Sequence, residues 1–304
     1  MRVIKPIAVV DSNFTSSTVA EPDSGVGEVE WSAGTYTLGT QRIESATHRV
    51  YEVVADPSTS DQPSVGVDAN PPTWIDVKPT NRWAMFDNVN STKTEDGTQI
   101  IVELTTDVIT NSIAGFAIEG ANAINVTVTD PIDGIVYNVD VDMNDNSEVA
   151  DWYYYYFAPI IKRTEFALLD LPAYADATIK ITIDGNDLKF GSLVVGNVIE
   201  LGVANYGSSL ELLDFSKKET DDFGNITVVE GRNSKLVNFD VTIPSDKTSY
   251  VFNTLSTLTT IPAVWLGTEQ VDDATLVFGY YRNTQINISN PSISDATIQI
   301  EGLV

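Results

Sequence analysis

The chain predicts an all-β fold: a small N-terminal β-module, then a β-sandwich of jelly-roll type carrying an inserted long β-hairpin. Three observations point there. Short runs such as Ile100-Ile101-Val102-Glu103-Leu104, Ile124-Asn125-Val126-Thr127-Val128 and Ala177 to Ile183 alternate or run apolar and are rich in β-branched residues. They are bounded by turn chemistry, at Asp130-Pro131, Asp133-Gly134 and Asp184-Gly185-Asn186. No stretch of twelve or more residues carries an apolar stripe at the helical period. Short helical turns are compatible with the stretch Leu168 to Ala175, where Pro172 would interrupt them.

Taken in order, residues 1–24 read as an extended N-terminal arm, ending in a Ser/Thr patch (Thr15 to Thr18) and Glu21-Pro22-Asp23. Residues 25–80 read as the small β-module, whose later half is a Pro/Ser/Asp-rich loop from Asp56 to Pro72. Residues 81–97 form an aromatic junction, Asn81 to Asp87, and a polar linker, Asn88 to Gly97. The sandwich occupies 98–304. Within it, about 206–246 reads as the hairpin: Leu210 to Phe215 leads through Lys217 to Asp222, turns at Phe223-Gly224-Asn225, and returns as Ile226 to Glu230. Without the hairpin roughly 160 residues remain, a natural size for one jelly roll. The alternative is two sandwiches meeting near residue 205.

Composition narrows the function classes. In 304 residues, 42% are hydrophobic, enough for a large core. The 43 acidic against 17 basic residues leave a net charge of −26, spread along the chain. Phosphate backbones and anionic membranes need a basic stripe, so neither nucleic-acid binding nor membrane insertion is expected. The absence of cysteine excludes disulfides and thiolate metal sites. The apolar run Ile7 to Val10 is too short for a secretory signal, and no run approaches the ~20 residues that span a bilayer. The chain is expected to be made and assembled in a cytoplasm.

Candidate sites are few. Trp31, Tyr36, Tyr51 and Trp74 carry rings of the kind that stack on sugar faces, although a fifty-residue module without disulfides also needs such rings for its core. Asp140, Asp142, Asn144, Asn146, Glu148 and Asp151 alternate like calcium-loop ligands. Position six of that loop is Asp145 rather than glycine, and a solvated acidic turn is the competing reading. Calcium is thus the one cofactor the sequence suggests. Asp151 to Phe157 is an aromatic run; on a strand it would present Trp152, Tyr154 and Tyr156 on one face, suited to a subunit interface or to the core. Lys217 and Lys218 form a basic pair at the hairpin tip, placed to meet an acidic neighbour. His48, the single histidine, reads as a surface or junction residue. Asp222-Phe223-Gly224 spells a kinase metal motif without its companions, and reads as a turn. No catalytic residues are assigned.

Several landmarks resemble a family of tailed-bacteriophage virion proteins. They are Thr15-Ser16-Ser17, Trp31-Ser32-Ala33-Gly34-Thr35-Tyr36, Pro79 to Asp87, Asp214 to Asn225, and the ending Ile298-Gln299-Ile300-Glu301-Gly302-Leu303. Their order along nearly the whole chain is more specific than any one of them. The resemblance implies a non-enzymatic structural component of the tail or baseplate, contacting other virion proteins and copies of itself. A shorter resemblance, over about fifty residues, is to chitin-binding carbohydrate modules of families five and twelve. It rests on Trp31, Tyr36, Gly39, Tyr51 and Trp74 and implies a host surface glycan as a further partner. The aromatic pair that follows the Tyr-Glu step in those modules is replaced here by about Ala55 and Asp56.

Overall fold

Two strands far longer than the rest organise the molecule: Ser112–Asp130 and Thr178–Glu200, 19 and 23 residues, antiparallel along most of their length. This computed structural model describes residues 1–303 except 107, 146–150, 158, 160, 221–222, 268–273 and 289; the side chains of 154, 155 and 220 also lie outside the description. Strands make up 53% of the chain and the sheets are antiparallel, so the fold is all-β.

Fourteen strands join in one sheet. Its main path runs Gly134–Asp142, Ser112–Asp130, Thr178–Glu200, Arg2–Pro6, Ala263–Leu266, Val277–Asn287, Ile293–Gly302, Asn233–Pro244 and Val203–Ala204. Shorter strands attach at its sides, among them Gln99–Thr105 on Thr178–Glu200 and Ser209–Asp214 on Asn233–Pro244. This single continuous order replaces the two separate sheets that a jelly roll would show. The long strands change register around Gly120, which sits at φ +76°, and a side chain there would meet the Asn186 carbonyl at 2.2 Å. Only glycine fits this kink.

The N-terminal segment is no free arm. Arg2–Pro6 lies inside the sheet, paired with Gly196 to Glu200 on one side and with Val264 to Leu266 on the other. Successive side chains of a strand face opposite ways, so fully buried Val3 and Ile4 enter different cores. Gly196 permits the close approach, since a Cβ there would stand 2.1 Å from the Lys5 carbonyl oxygen. Further on, Phe14–Ser17 adds to the edge of Gln99–Thr105.

The apolar interior divides near residue 200. The first core gathers Ile100, Val102 and Leu104 with Ile124, Val126, Ile179, Ile181 and Ile183. The second gathers Val237, Phe239, Val241 and Ile243 with Trp265, Ile298 and Ile300. A helix, Thr248–Thr257, caps the second core through Val251 and Leu255. Between them lies a seam of Ile4, Phe116, Val194, Val264 and Phe278, in which Phe116 and Phe278 stack at 5.4 Å. Residues 98–304 therefore hold two cores, and the strand Thr178–Glu200 reaches both, Val195 into the first and Ile199 against the second. Helical turns near Leu168 to Ala175 do not form.

The small module is a three-stranded sheet, Gln41–Glu44, Arg49–Val53 and Trp74–Pro79, beside the short pair Tyr36–Thr37 and Ser58–Thr59. A polar clasp joins it to the rest. The Glu21 carboxylate, almost fully buried, accepts from Thr80 Oγ1 (2.5 Å) and Trp83 Nε1 (3.2 Å), with Arg82 at 3.6 Å. His48 stacks on Trp83 at 4.2 Å and places Nδ1 3.1 Å from Glu21 and Nε2 2.8 Å from Asp11. The histidine is a junction residue, and its carboxylate partners come from the N-terminal segment.

The buried position of Arg2–Pro6 gives a direct prediction. Ile4→Ala removes a fully buried side chain at the seam and should cost about 2–5 kcal/mol. Urea denaturation checks it; a loss below about 0.5 kcal/mol, the range of a surface substitution, would contradict the central placement.

Candidate functional site

The four module aromatics do not form a ligand platform. Trp74 is fully buried, donates its Nε1 hydrogen to the Asp61 carbonyl at 3.0 Å, and meets Tyr36 edge-on at 5.8 Å. Tyr51 is buried too; its hydroxyl donates to Thr47 Oγ1 at 2.9 Å, and burial pushes the phenol above its ordinary value. Tyr36 is half-buried, with the Arg42 guanidinium 4.9 Å from its ring centre and its hydroxyl donating to the Ser32 carbonyl at 2.6 Å. Trp31 is half-buried against the same cluster, and its Nε1 has no hydrogen-bond partner among the described residues. Trp74, Tyr51 and Val53 form the module's core cluster, and Ile43 and Val50 of the same strands are buried beside them, so the rings serve packing within a small module.

The acidic residues lie on a strand instead of in a loop. Asp140 and Asp142 belong to Gly134–Asp142; Asp140 accepts from Asn125 Nδ2 at 2.8 Å across the sheet. Asp142 accepts from the Asn144 backbone (2.9 Å) and side chain (2.7 Å), and these bonds hold its carboxyl below the usual range. Asn146 and Glu148 lie outside the described residues. Among the described residues no group of three His, Asp or Glu side chains is placed to hold a metal.

The aromatic run is helical, which overturns the strand reading. Trp152–Phe157 makes a short helix that starts beside the Asp151 carboxylate, which accepts from the Tyr153 N–H at 2.8 Å. Rings four residues apart then meet: Trp152 with Tyr156 at 6.3 Å, and Tyr153 with Phe157 at 5.0 Å. All four are more than half exposed. The Tyr154 side chain lies outside the description.

A second exposed apolar surface is the hairpin. Its base pairs Ser209–Asp214 with Asn233 to Asn238, and its outer part pairs Lys217–Thr220 with Ile226–Val229. A joint separates the two: Ser216 N–H donates to Asp214 (2.8 Å), Gly231 N–H donates to Ser216 Oγ (3.0 Å), and Phe215 N–H to the Arg232 carbonyl (3.1 Å). Leu210, Leu212, Phe215, Phe223, Ile226, Val228 and Val229 are each more than half exposed. Sequence reasoning placed the hairpin but weighted its lysines. Those lysines are served within the hairpin, Lys217 by Glu219 at 2.5 Å and Lys218 by Asp214 at 4.0 Å. Both pairs are largely exposed, so they contribute little.

The opposite end of the sheet is finished differently. Among the described residues Gly134–Asp142 also has one neighbour in the sheet, but beside exposed Ile135 it presents Asn138, Asp140 and Asp142 to water. Charges on an edge discourage pairing with another chain. The ribbon's apolar side chains have no such guard.

Clefts also open on the surface. One of about 640 Å³ is lined by Arg2, Val203, Tyr206, Phe239 and Lys247. Another, about 590 Å³, lies between the module and the first core and holds Lys78, Lys93 and Lys189. Two of these lysines are already paired, Lys93 with Glu119 (2.5 Å) and Lys189 with Glu95 (2.9 Å). No helix among the described residues is long and apolar enough to cross a membrane.

No family model matches the chain, and no curated protein or solved structure matches it.

Trp74→Ala should cost about 3–5 kcal/mol, since a fully buried indole is removed. Calorimetry together with near-ultraviolet circular dichroism checks this. An unchanged transition would show that the indole is dispensable to the module and reopen it as a ligand contact.

Proposed function

We propose that the chain is a non-enzymatic structural component of a tailed-phage virion, in the tail or baseplate, present in multiple copies and assembled in the host cytoplasm. The observation that carries this reading is the uncovered ribbon. A two-stranded ribbon is marginal in water unless something packs on it. Exposed apolar side chains clustered on one projecting element are the usual mark of a protein interface. The ordered landmarks from Thr15 to Leu303 suggest the kind of assembly. The N-terminal segment plays no docking part here, because its first strand is already consumed inside the fold.

Glycan recognition is the second reading, and one observation favours it: the exposed rings of Trp152, Tyr153, Tyr156 and Phe157. Sugar C–H faces stack on such rings. This moves the candidate glycan contact from the N-terminal module to the short helix.

The assembly reading is tested by replacing two ribbon side chains, Leu212→Lys with Val229→Lys. Both are exposed, so thermal stability should stay within about 0.5 kcal/mol of the parent. Incorporation into particles should fall at least about tenfold, since interface anchors exceed ~1 kcal/mol each. Normal incorporation would count against the ribbon as a docking element. For the glycan reading, binding on an array that disappears with Trp152→Ala is the expected signal, and an array with no binder ends that reading.

A further inference from the structure

Among the exposed strands of this acidic chain, Ile226–Val229 is distinctive. It is Ile-Thr-Val-Val, it carries no charge, and all four residues are exposed. On one side it pairs with Lys217–Thr220; on the other no strand pairs with it among the described residues. Its free N–H and C=O groups form a template for a further strand. Three or more strands are needed before such a ribbon is stable by itself.

We propose that the partner at this edge is a second copy of the same chain, joined by antiparallel pairing of Ile226–Val229 with itself about a two-fold axis. The proposal rests on the ribbon-docking reading above and names its partner. Charge is the first argument. Two copies at −26 each repel, so a contact between them is favoured where charge is absent, and this edge is such a place. Registry is the second. A two-fold axis normal to the sheet keeps each side chain on its own face, so opposed residues must differ by an even number of positions. Centring on Thr227 sets Thr227 opposite Thr227 and Ile226 of each copy opposite Val228 of the other. These are β-branched pairs of the kind that stabilise antiparallel ladders. Centring one residue later would set Ile226 opposite Glu230, burying an apolar side chain against a carboxylate.

The result is a four-stranded sheet, with Lys217–Thr220 outermost on both sides.

Two measurements test this on the full chain. Sedimentation equilibrium should show a dimer that is weakened at least about tenfold, or abolished, by Ile226→Glu with Val228→Glu. Val228→Glu stands opposite Lys218 within its own hairpin, so the ribbon itself is not weakened. Second, the chain contains no cysteine, so Thr227→Cys provides a single thiol. Directly opposed residues of an antiparallel pair have Cα atoms about 4.5–5.5 Å apart, within disulfide range. Mild oxidation should therefore link the Thr227→Cys variant into a covalent dimer, whereas Ser256→Cys, exposed on the capping helix, should stay monomeric. A monomeric parent together with no cross-link at position 227 overturns the proposal. If the glutamate variants still fail to enter particles in that case, the ribbon docks on a different virion protein and the assembly reading stands.

Discussion

The architecture depends on one strand being where the sequence gives least warning of it. Arg2–Pro6 bridges Thr178–Glu200 and Ala263–Leu266, and Val3 and Ile4 feed two different hydrophobic clusters. Without it the sheet would fall into two halves with open central edges. Those edges would expose ladder groups that water must then satisfy. The contact is also among the least local in the chain, so its loop-closure entropy must be met before the second core can close on the first. Folding is accordingly expected to be slow and cooperative, with both halves awaiting the same short segment.

How much of this was legible follows from the length of each signal. The long alternating runs announced strands, and Lys217 to Glu230 announced a hairpin through its turn chemistry, because period-two patterns and Gly-Asn turns are local. The helix Thr248–Thr257 was missed: its apolar stripe, Val251, Leu255 and Leu258, spans too few turns to stand out from the Thr/Ser-rich background. The run Trp152–Phe157 misled for a different reason. Aromatic residues favour strands on average, but these six have no long partner strand, and ring stacking at four-residue spacing satisfies them on a helix. The N-terminal segment could not be read at all, since its five residues look alike whether they pair centrally or hang free. The module's rings were legible as rings, but whether a tryptophan faces solvent or core is decided by loops such as the one that brings the Asp61 carbonyl to Trp74.

Surface finish separates what is shielded from what is offered. At one end of the sheet, Asp140 and Asp142 stand along the edge and repel any approaching strand of this acidic chain. At the other, Asp214 and Glu219 of the hairpin pair with its own lysines and Ser216, and valine, isoleucine and leucine side chains stand exposed beside them. A net charge of −26 keeps such a chain from associating indiscriminately.

The small module fits this logic as a fixed appendage of the first core. Glu21, His48, Thr80 and Trp83 come from the N-terminal segment, a module turn and the junction, and converge on one nearly buried carboxylate. A nearly buried carboxyl group in that position depends on its partners staying in place, since burying a polar group unpaired is costly. The clasp therefore sets the module's orientation more firmly than a polar linker would. The ribbon belongs to the second core and the module to the first, and Arg2–Pro6 holds the two cores in register. A load or contact received at one end can be transmitted to the other through backbone pairing alone, with no hinge required between them. This continuity arises from the placement of five N-terminal residues.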